Sequence, residues 1–291
     1  SEGVDRETLQ IPTNQINLIE EISKVNQNII IILSNGAPIE MQWQDKAKAI
    51  ITGYLGGEAG ARAMINCVIG KVNPSGKLAE TYPIKLEDTP CYNNYPGTEL
   101  TVEYKETIYV GYRYYNTAKK KVLFPFGYGL SYTQFKYSDL KIEQENHKVK
   151  ISFKIKNIGT VKGKEIAQIY VSQLNPKIYK PLRELKEFKK VELKPGEEKI
   201  VKIELAKDSF EYYNTELKKW AIEEDKYEIQ VGKSSEDIVL KDRITIKSQD
   251  AVVKTKYSDK YYNAEIQEIT DKEFEKVLGR KIPERHLKID E

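Results

Sequence analysis

The 291-residue chain has two cysteines, two histidines, a net charge of only +3 and no apolar run longer than Ile29–Leu33. Each scarcity excludes something. Cys67 and Cys91 cannot form a disulfide framework, and neither has a second Cys or a His at ligand spacing, so no zinc site is expected. Cys67, among apolar neighbours, reads as core. His147 and His286 lie in polar stretches far from any Ser or Cys elbow, which argues against a His-dependent triad or a histidine metal site. A run of five apolar residues falls far short of the ~20 that a spanning helix needs, so no membrane is expected. The 47 basic and 44 acidic residues are spread along the chain, and no basic stripe with interleaved aromatics suggests nucleic acid. Lys119, Lys120 and Lys121 read as a solvated loop. With 40% hydrophobic and 31% charged residues the chain should fold as a globular protein, and carboxylate chemistry without metal or cofactor is what remains open to it. The sequence opens on Ser1 with no charged-then-apolar leader, which together with the low cysteine content leans towards the cytoplasm.

The first 70 residues alternate between periods. Ile16, Leu18, Ile19, Ile22 and Val25 recur at helical spacing after Thr13 and Asn14. The run Ile29–Leu33, closed by Ser34-Asn35-Gly36, reads as a parallel strand covered on both faces. A helix over 39–47, a strand over 49–54 and a helix over 59–69 stopped by Gly70 complete an α/β pattern. From Val72 the texture changes to turns, with a strand expected at 78–82, and a tyrosine-rich connector occupies 90–133. There Tyr112 and Tyr114 alternate as on a strand, and with Tyr109 and Tyr115 they suit an interdomain seam. Trp43 and Trp220 each sit in a regular element and read as core. Gly56, Gly57 and Gly60 read as a packing turn, because no phosphate-binding lysine or dinucleotide fingerprint follows.

Beyond 134 the period becomes two, as in Val149, Ile151, Phe153 and Ile155, then Ile166, Gln168 and Tyr170, Val201, Ile203 and Leu205, and Tyr227, Ile229 and Val231. Turns at Asn157–Gly159, Pro195-Gly196 and Gly232–Ser234 space these runs as in an immunoglobulin-like or fibronectin type III-like β-sandwich. The expected organisation is a partial three-layer α/β/α sandwich at 1–89, the connector at 90–133, the β-sandwich at 134–248 and an extension at 249–291 with a short helix over 271–278.

Six stretches occur here in a telling order: Ser-Glu-Gly-Val-Asp-Arg at 1–6, Leu-Ser-Asn-Gly-Ala-Pro at 33–38, Gly-Glu-Ala-Gly at 57–60, Gly-Lys-Val-Asn-Pro-Ser-Gly-Lys-Leu at 70–78, Tyr-Val-Gly-Tyr-Arg-Tyr-Tyr at 109–115 and Phe-Pro-Phe-Gly-Tyr-Gly-Leu-Ser-Tyr-Thr at 124–133. Together with the sandwich that follows, they resemble the second and third domains of glycoside hydrolase family 3 β-glucosidases over 1 to about 247. The resemblance implies hydrolysis of terminal non-reducing β-D-glucosyl residues with retention. It also implies that a (β/α)8 barrel supplies an Asp nucleophile and that Glu2, in a Gly-Glu-Gly-Tyr-Asp-Arg-like stretch, is the general acid/base. Ser1 stands where Gly is common and Val4 where an aromatic is usual, while Asp5 and Arg6 match.

Retention needs two carboxyl groups ~5–5.5 Å apart, one attacking the anomeric carbon and one protonating the departing oxygen. The donor's pKa must be raised by burial or by the nucleophile's charge. A barrel takes ~200 residues, for which this chain has no room, so a preceding segment or separate chain is expected to carry it, and the chain alone is expected to be inactive. Residues 256–291 resemble sequence that leads into further domains in some members. The expected partners are a β-glucoside or cello-oligosaccharide and the barrel domain, with a homo-oligomer left open. Two other readings stand beside this one: a β-xylosidase or related exo-glycosidase of the same family, and a non-catalytic carbohydrate-binding or interaction module.

Overall fold

The computed structural model describes residues 3, 6–97, 100–251, 253 and 255–284. The amino-terminal part holds α1 (Thr13–Val25), β1 (Ile30–Leu33), β2 (Ala49–Thr52) and α2 (Gly60–Val68). The strands pair in parallel, Ile30 opposite Ala49 through Leu33 opposite Thr52. Because successive side chains of a strand point to opposite faces, Ile31 and Leu33 join Ile16 and Ile19 of α1 in a core with Ile39, Met41, Trp43 and Tyr82. On the other face Ile30 and Ile32 remain 50% and 40% exposed, so the expected burial on both sides is corrected. The apolar run marks a strand built for two covered faces, and among the described residues only one is covered.

Two further expectations in this part fail for local reasons. The stretch 39–47 is no helix: the Glu40 amide donates to the Leu9 carbonyl at 2.9 Å, which holds it extended, and only a single 3-10 turn forms, at Gln44–Lys46. The strand expected at 78–82 is reduced to β3 (Tyr82–Pro83), paired with β4 (Val122–Phe124). Between them lies α3 (Tyr112–Thr117), a helix where alternating tyrosines had suggested a strand. Tyr114 and Tyr115 are adjacent in sequence, both buried, and stack edge to face, as the turn of a short helix allows.

The sandwich follows as β5 (Phe135–Glu145), β6 (Lys148–Asn157), β7 (Gly163–Gln173), β8 (Glu184–Leu193), β9 (Glu198–Leu205), the hairpin β10 (Tyr212–Asn214) and β11 (Lys219–Ala221), β12 (Asp225–Gly232) and β13 (Ile238–Ile246). One sheet has the order β5-β6-β9 and the other β13-β12-β7-β8. Val149, Ile151, Phe153 and Ile155 from the first interdigitate with Ala167, Ile169, Val171, Ile229 and Val231 from the second. The inward residues of β7 are the odd-numbered ones, not Ile166, Gln168 and Tyr170. Gln168 and Tyr170 are buried on the opposite face, where Tyr112 meets Tyr170 edge-on at 6.0 Å. This strand is covered twice, so alternation alone cannot identify its core side.

The last segment, α4 (Asp259–Tyr262) and α5 (Asp271–Leu278), straps over the connector. Tyr261, Ile266, Ile269 and Phe274 form one cluster with Tyr109, Tyr114 and Tyr115. α5 lies where the sequence places it, capped by a reciprocal Thr270–Glu273 box and ended by Gly279 at φ 74°. Hydrogen bonds from the Ser258 hydroxyl (2.7 Å) and from the Thr270 amide and hydroxyl (2.9 and 2.7 Å) pull the Glu273 carboxyl down to about 2 from an ordinary 4.5. A depressed folded-state pKa contributes stability that is present above about 4.5 and is lost as the pH falls towards 2. The melting-temperature difference between wild type and Glu273→Gln is therefore expected to be full at pH 6 and to shrink through that window. A difference independent of pH would refute the assignment.

Candidate active site

Glu2 lies outside the described residues. Among the described residues that follow it, Leu9 and Gln10 are held by Glu40. This buried carboxylate accepts from the Leu86 amide at 2.7 Å through Oε1, and from Gln42 at 2.7 Å and Gln10 at 3.5 Å through Oε2. With the Leu9–Glu40 backbone bond, these contacts hold Leu9 and Gln10 against the α/β layer.

At the carboxyl ends of β1 and β2, where open parallel sheets present their loops, five residues converge. Asn35 donates to the Ala37 carbonyl at 2.7 Å and to the Tyr82 hydroxyl at 3.1 Å. The Ser34 hydroxyl donates to the Tyr54 carbonyl at 3.2 Å. Burial pushes the Glu80 carboxyl up, opposed by the Tyr54 hydroxyl beside it, and burial with Tyr82 and Glu80 nearby pushes Tyr54 up as well. A carboxyl with a raised pKa can hold a proton, but a second carboxylate facing Glu80 is absent among the described residues of this cluster. Its evident work is to shape the loops. Gly56 serves the same end, since a Cβ there would come within 2.8 Å of the Gly60 Cα.

The motifs at 70–78 and 124–133 lock this layer to the sandwich. Asn73 donates to the Lys162 carbonyl at 3.0 Å and accepts from the Ser131 hydroxyl and the Tyr132 amide at 3.0 and 2.9 Å. Gln168 of β7 donates to the Gly127 carbonyl at 3.0 Å; Gly127 has φ 79°, and a Cβ on it would come within 2.1 Å of the Gln168 Oε1. Lys77 pairs with Glu165 of β7 at 3.0 Å, both largely buried. Removing one member of such a pair strands the other, so Glu165→Ala is expected to cost about 3 kcal/mol by urea unfolding. Lys77→Met with Glu165→Leu should recover most of it. Equal losses for the single and double variants would contradict this.

The tyrosines at 109–115 pack the seam: the Tyr109 hydroxyl donates to the Tyr261 carbonyl at 2.5 Å, and Tyr112 stacks on Phe126 at 4.7 Å. Trp43 is core at 2% exposure, whereas Trp220 is not: at 62% exposure it stands on the outer face of the β10–β11 hairpin, against expectation. Its charged neighbours Lys218 and Lys219 were the sequence signal for a surface position. Cys67 is half-buried, rather than core, and unpaired. Among the described residues no group of three or more His, Cys, Asp or Glu is placed to hold a metal, and no helix is long and apolar enough to cross a membrane.

The profile of the Glycosyl hydrolase family 3 C-terminal domain matches residues 1–132, and that of the Fibronectin type III-like domain matches residues 165–235. A thermostable β-glucosidase B of Acetivibrio thermocellus is 49% identical over 252 residues, covering 85% of this chain and 33% of that protein. An exo-α-(1→6)-L-arabinopyranosidase of Bifidobacterium breve is 40% identical over 240 residues, covering 82% of this chain and 32% of that protein. The crystal structure of a Bifidobacterium adolescentis β-glucosidase superposes with a TM-score of 0.84 at 37% identity, over 89% of this chain and 39% of that one. The chain spans about a third of the length of the curated relatives it matches.

Proposed function

The chain belongs to glycosyl hydrolase family 3, whose C-terminal domain and fibronectin type III-like domain it carries, and from that premise we propose that it is the acid/base-bearing portion of a retaining β-glucosidase. In this reading it acts on terminal non-reducing β-D-glucosyl residues of a β-glucoside or cello-oligosaccharide. Glu2 protonates the departing oxygen and then activates water, and an Asp on a (β/α)8 barrel outside this sequence forms the glycosyl-enzyme.

The observation that carries the reading is the bare apolar face of β1. Ile30 and Ile32 lie side by side on it, 50% and 40% exposed. Scattered surface leucines need no explanation, but a contiguous set on an element patterned for burial marks an interface. The occupant proposed is the barrel-bearing segment. An arabinopyranosidase among relatives of equal similarity favours a second statement, that the sugar accepted is decided mainly by residues of that segment.

The test mixes the 291-residue chain with the barrel-bearing segment of a relative and assays aryl β-glucoside hydrolysis. Activity in the mixture alone is expected. Hydrolysis by the unmixed chain, or none in any mixture that forms a complex, overturns the proposal.

A further inference from the structure

The β10–β11 hairpin is fastened on one side and bare on the other. Asn214, buried, accepts from the Glu216 and Leu217 amides at 3.0 Å each and donates to the Ala251 carbonyl at 3.2 Å. Glu216 accepts from the Thr255 amide and hydroxyl at 2.9 and 2.7 Å. Asp250 accepts from the Ile222 amide at 3.0 Å and the Lys219 ammonium at 2.9 Å. On the outer side Tyr213 and Trp220 are direct cross-strand partners, their rings edge to face with centroids 5.7 Å apart, and they are 50% and 62% exposed. A short hairpin this firmly mounted holds its two rings in place before anything binds, which lowers the ordering cost of binding.

We propose that the Trp220 indole, held edge to face by Tyr213, is a stacking platform for a pyranose ring of a β-linked glucan chain, separate from the sugar that is hydrolysed. Size argues for a sugar over a protein. Two rings offer a few hundred Å² at most, well under the ~800 Å² per partner of a stable protein interface. A β-glucosyl unit has its hydroxyls equatorial, so each face is a sheet of C–H bonds that an indole ring covers, while the hydroxyls lie at the rim. The choice of glucose as the repeating sugar rests on the substrate class proposed above; the platform itself rests on the hairpin.

The chain has two tryptophans, and Trp43 is buried, so the emission that acrylamide quenches reports Trp220. Titration of the 291-residue chain with cellohexaose to about 10 mM, a range that reveals weak binding, is expected to shift that emission to the blue and to protect it from quenching. Tyr213→Ala and Trp220→Ala are expected to weaken retardation in a soluble β-glucan affinity gel about tenfold, as for loss of one stacked ring. Both sites are exposed, and unchanged circular dichroism verifies folding. Quenching indifferent to cellohexaose, or variants retarded like wild type, overturns the proposal. So does concentration-dependent dimerisation that Trp220→Ala abolishes, which would assign the rings to a second copy. Binding here without activity in barrel mixtures leaves the platform intact and removes only the enzymatic reading.

Discussion

Glu2→Gln in the barrel-complemented enzyme is expected to lower kcat by about 10²–10⁴ for glucosides with poor leaving groups, the usual contribution of a positioned general acid. The amide keeps the shape and loses the proton. Departure of an alkoxide without protonation leaves charge on oxygen in the transition state, so the loss in kcat/KM, which reports the first step, should grow with leaving-group pKa and be small for a dinitrophenyl glucoside. With that activated substrate the glycosyl-enzyme still forms, and the second step fails because no base activates water. Azide, which needs no base, should then restore turnover and yield a β-glucosyl azide of retained configuration. A merely structural Glu2 would lower all substrates alike and show no rescue. Normal rates in the variant on a poor leaving group would remove Glu2 from the mechanism.

What the sequence disclosed and what it concealed divide along physical lines. Elements decided by local signals came through: α1 and α2 from their apolar periodicity, α5 from its amphipathic pattern and terminal glycine, and β6, β7, β9 and β12 from alternation. Elements decided by distant partners did not. Residues 39–47 have helical spacing, but Glu40 is recruited by Leu9, Gln10, Gln42 and Leu86, a set no local window contains. Tyr112–Thr117 alternates like a strand, yet packing against Tyr261 and Phe126 makes it a helix. The side of β7 that faces the core could not be read, because both sides are covered. For the site, Glu2 was legible only through resemblance to a motif, while Glu40, which gathers Leu9, Gln10 and Leu86, looked like any acidic residue. Trp220 misled because tryptophan is buried on average; only the two lysines before it pointed outward.

Ile32→Asp should abolish complementation while leaving the chain's own stability nearly unchanged. The side chain is 40% exposed, and surface substitutions of that kind usually shift stability by no more than ~0.5 kcal/mol. In the complex proposed above the same position would face the barrel-bearing segment, and a carboxylate buried there without a partner would cost several kcal/mol. A penalty of about 4 kcal/mol weakens association roughly a thousandfold, enough to erase activity at micromolar protein. Ile32→Leu keeps the apolar surface and should complement normally, which separates docking from shape. The neighbouring Ile31, turned into the core with Leu33 and Ile16, supplies the contrast: Ile31→Asp should unfold the α/β layer itself, seen as a lower urea midpoint in the unmixed chain. Strand alternation makes the two outcomes differ at adjacent positions. If Ile32→Asp complemented as well as wild type, the exposed face would not be the docking surface, and the barrel would have to approach from another side.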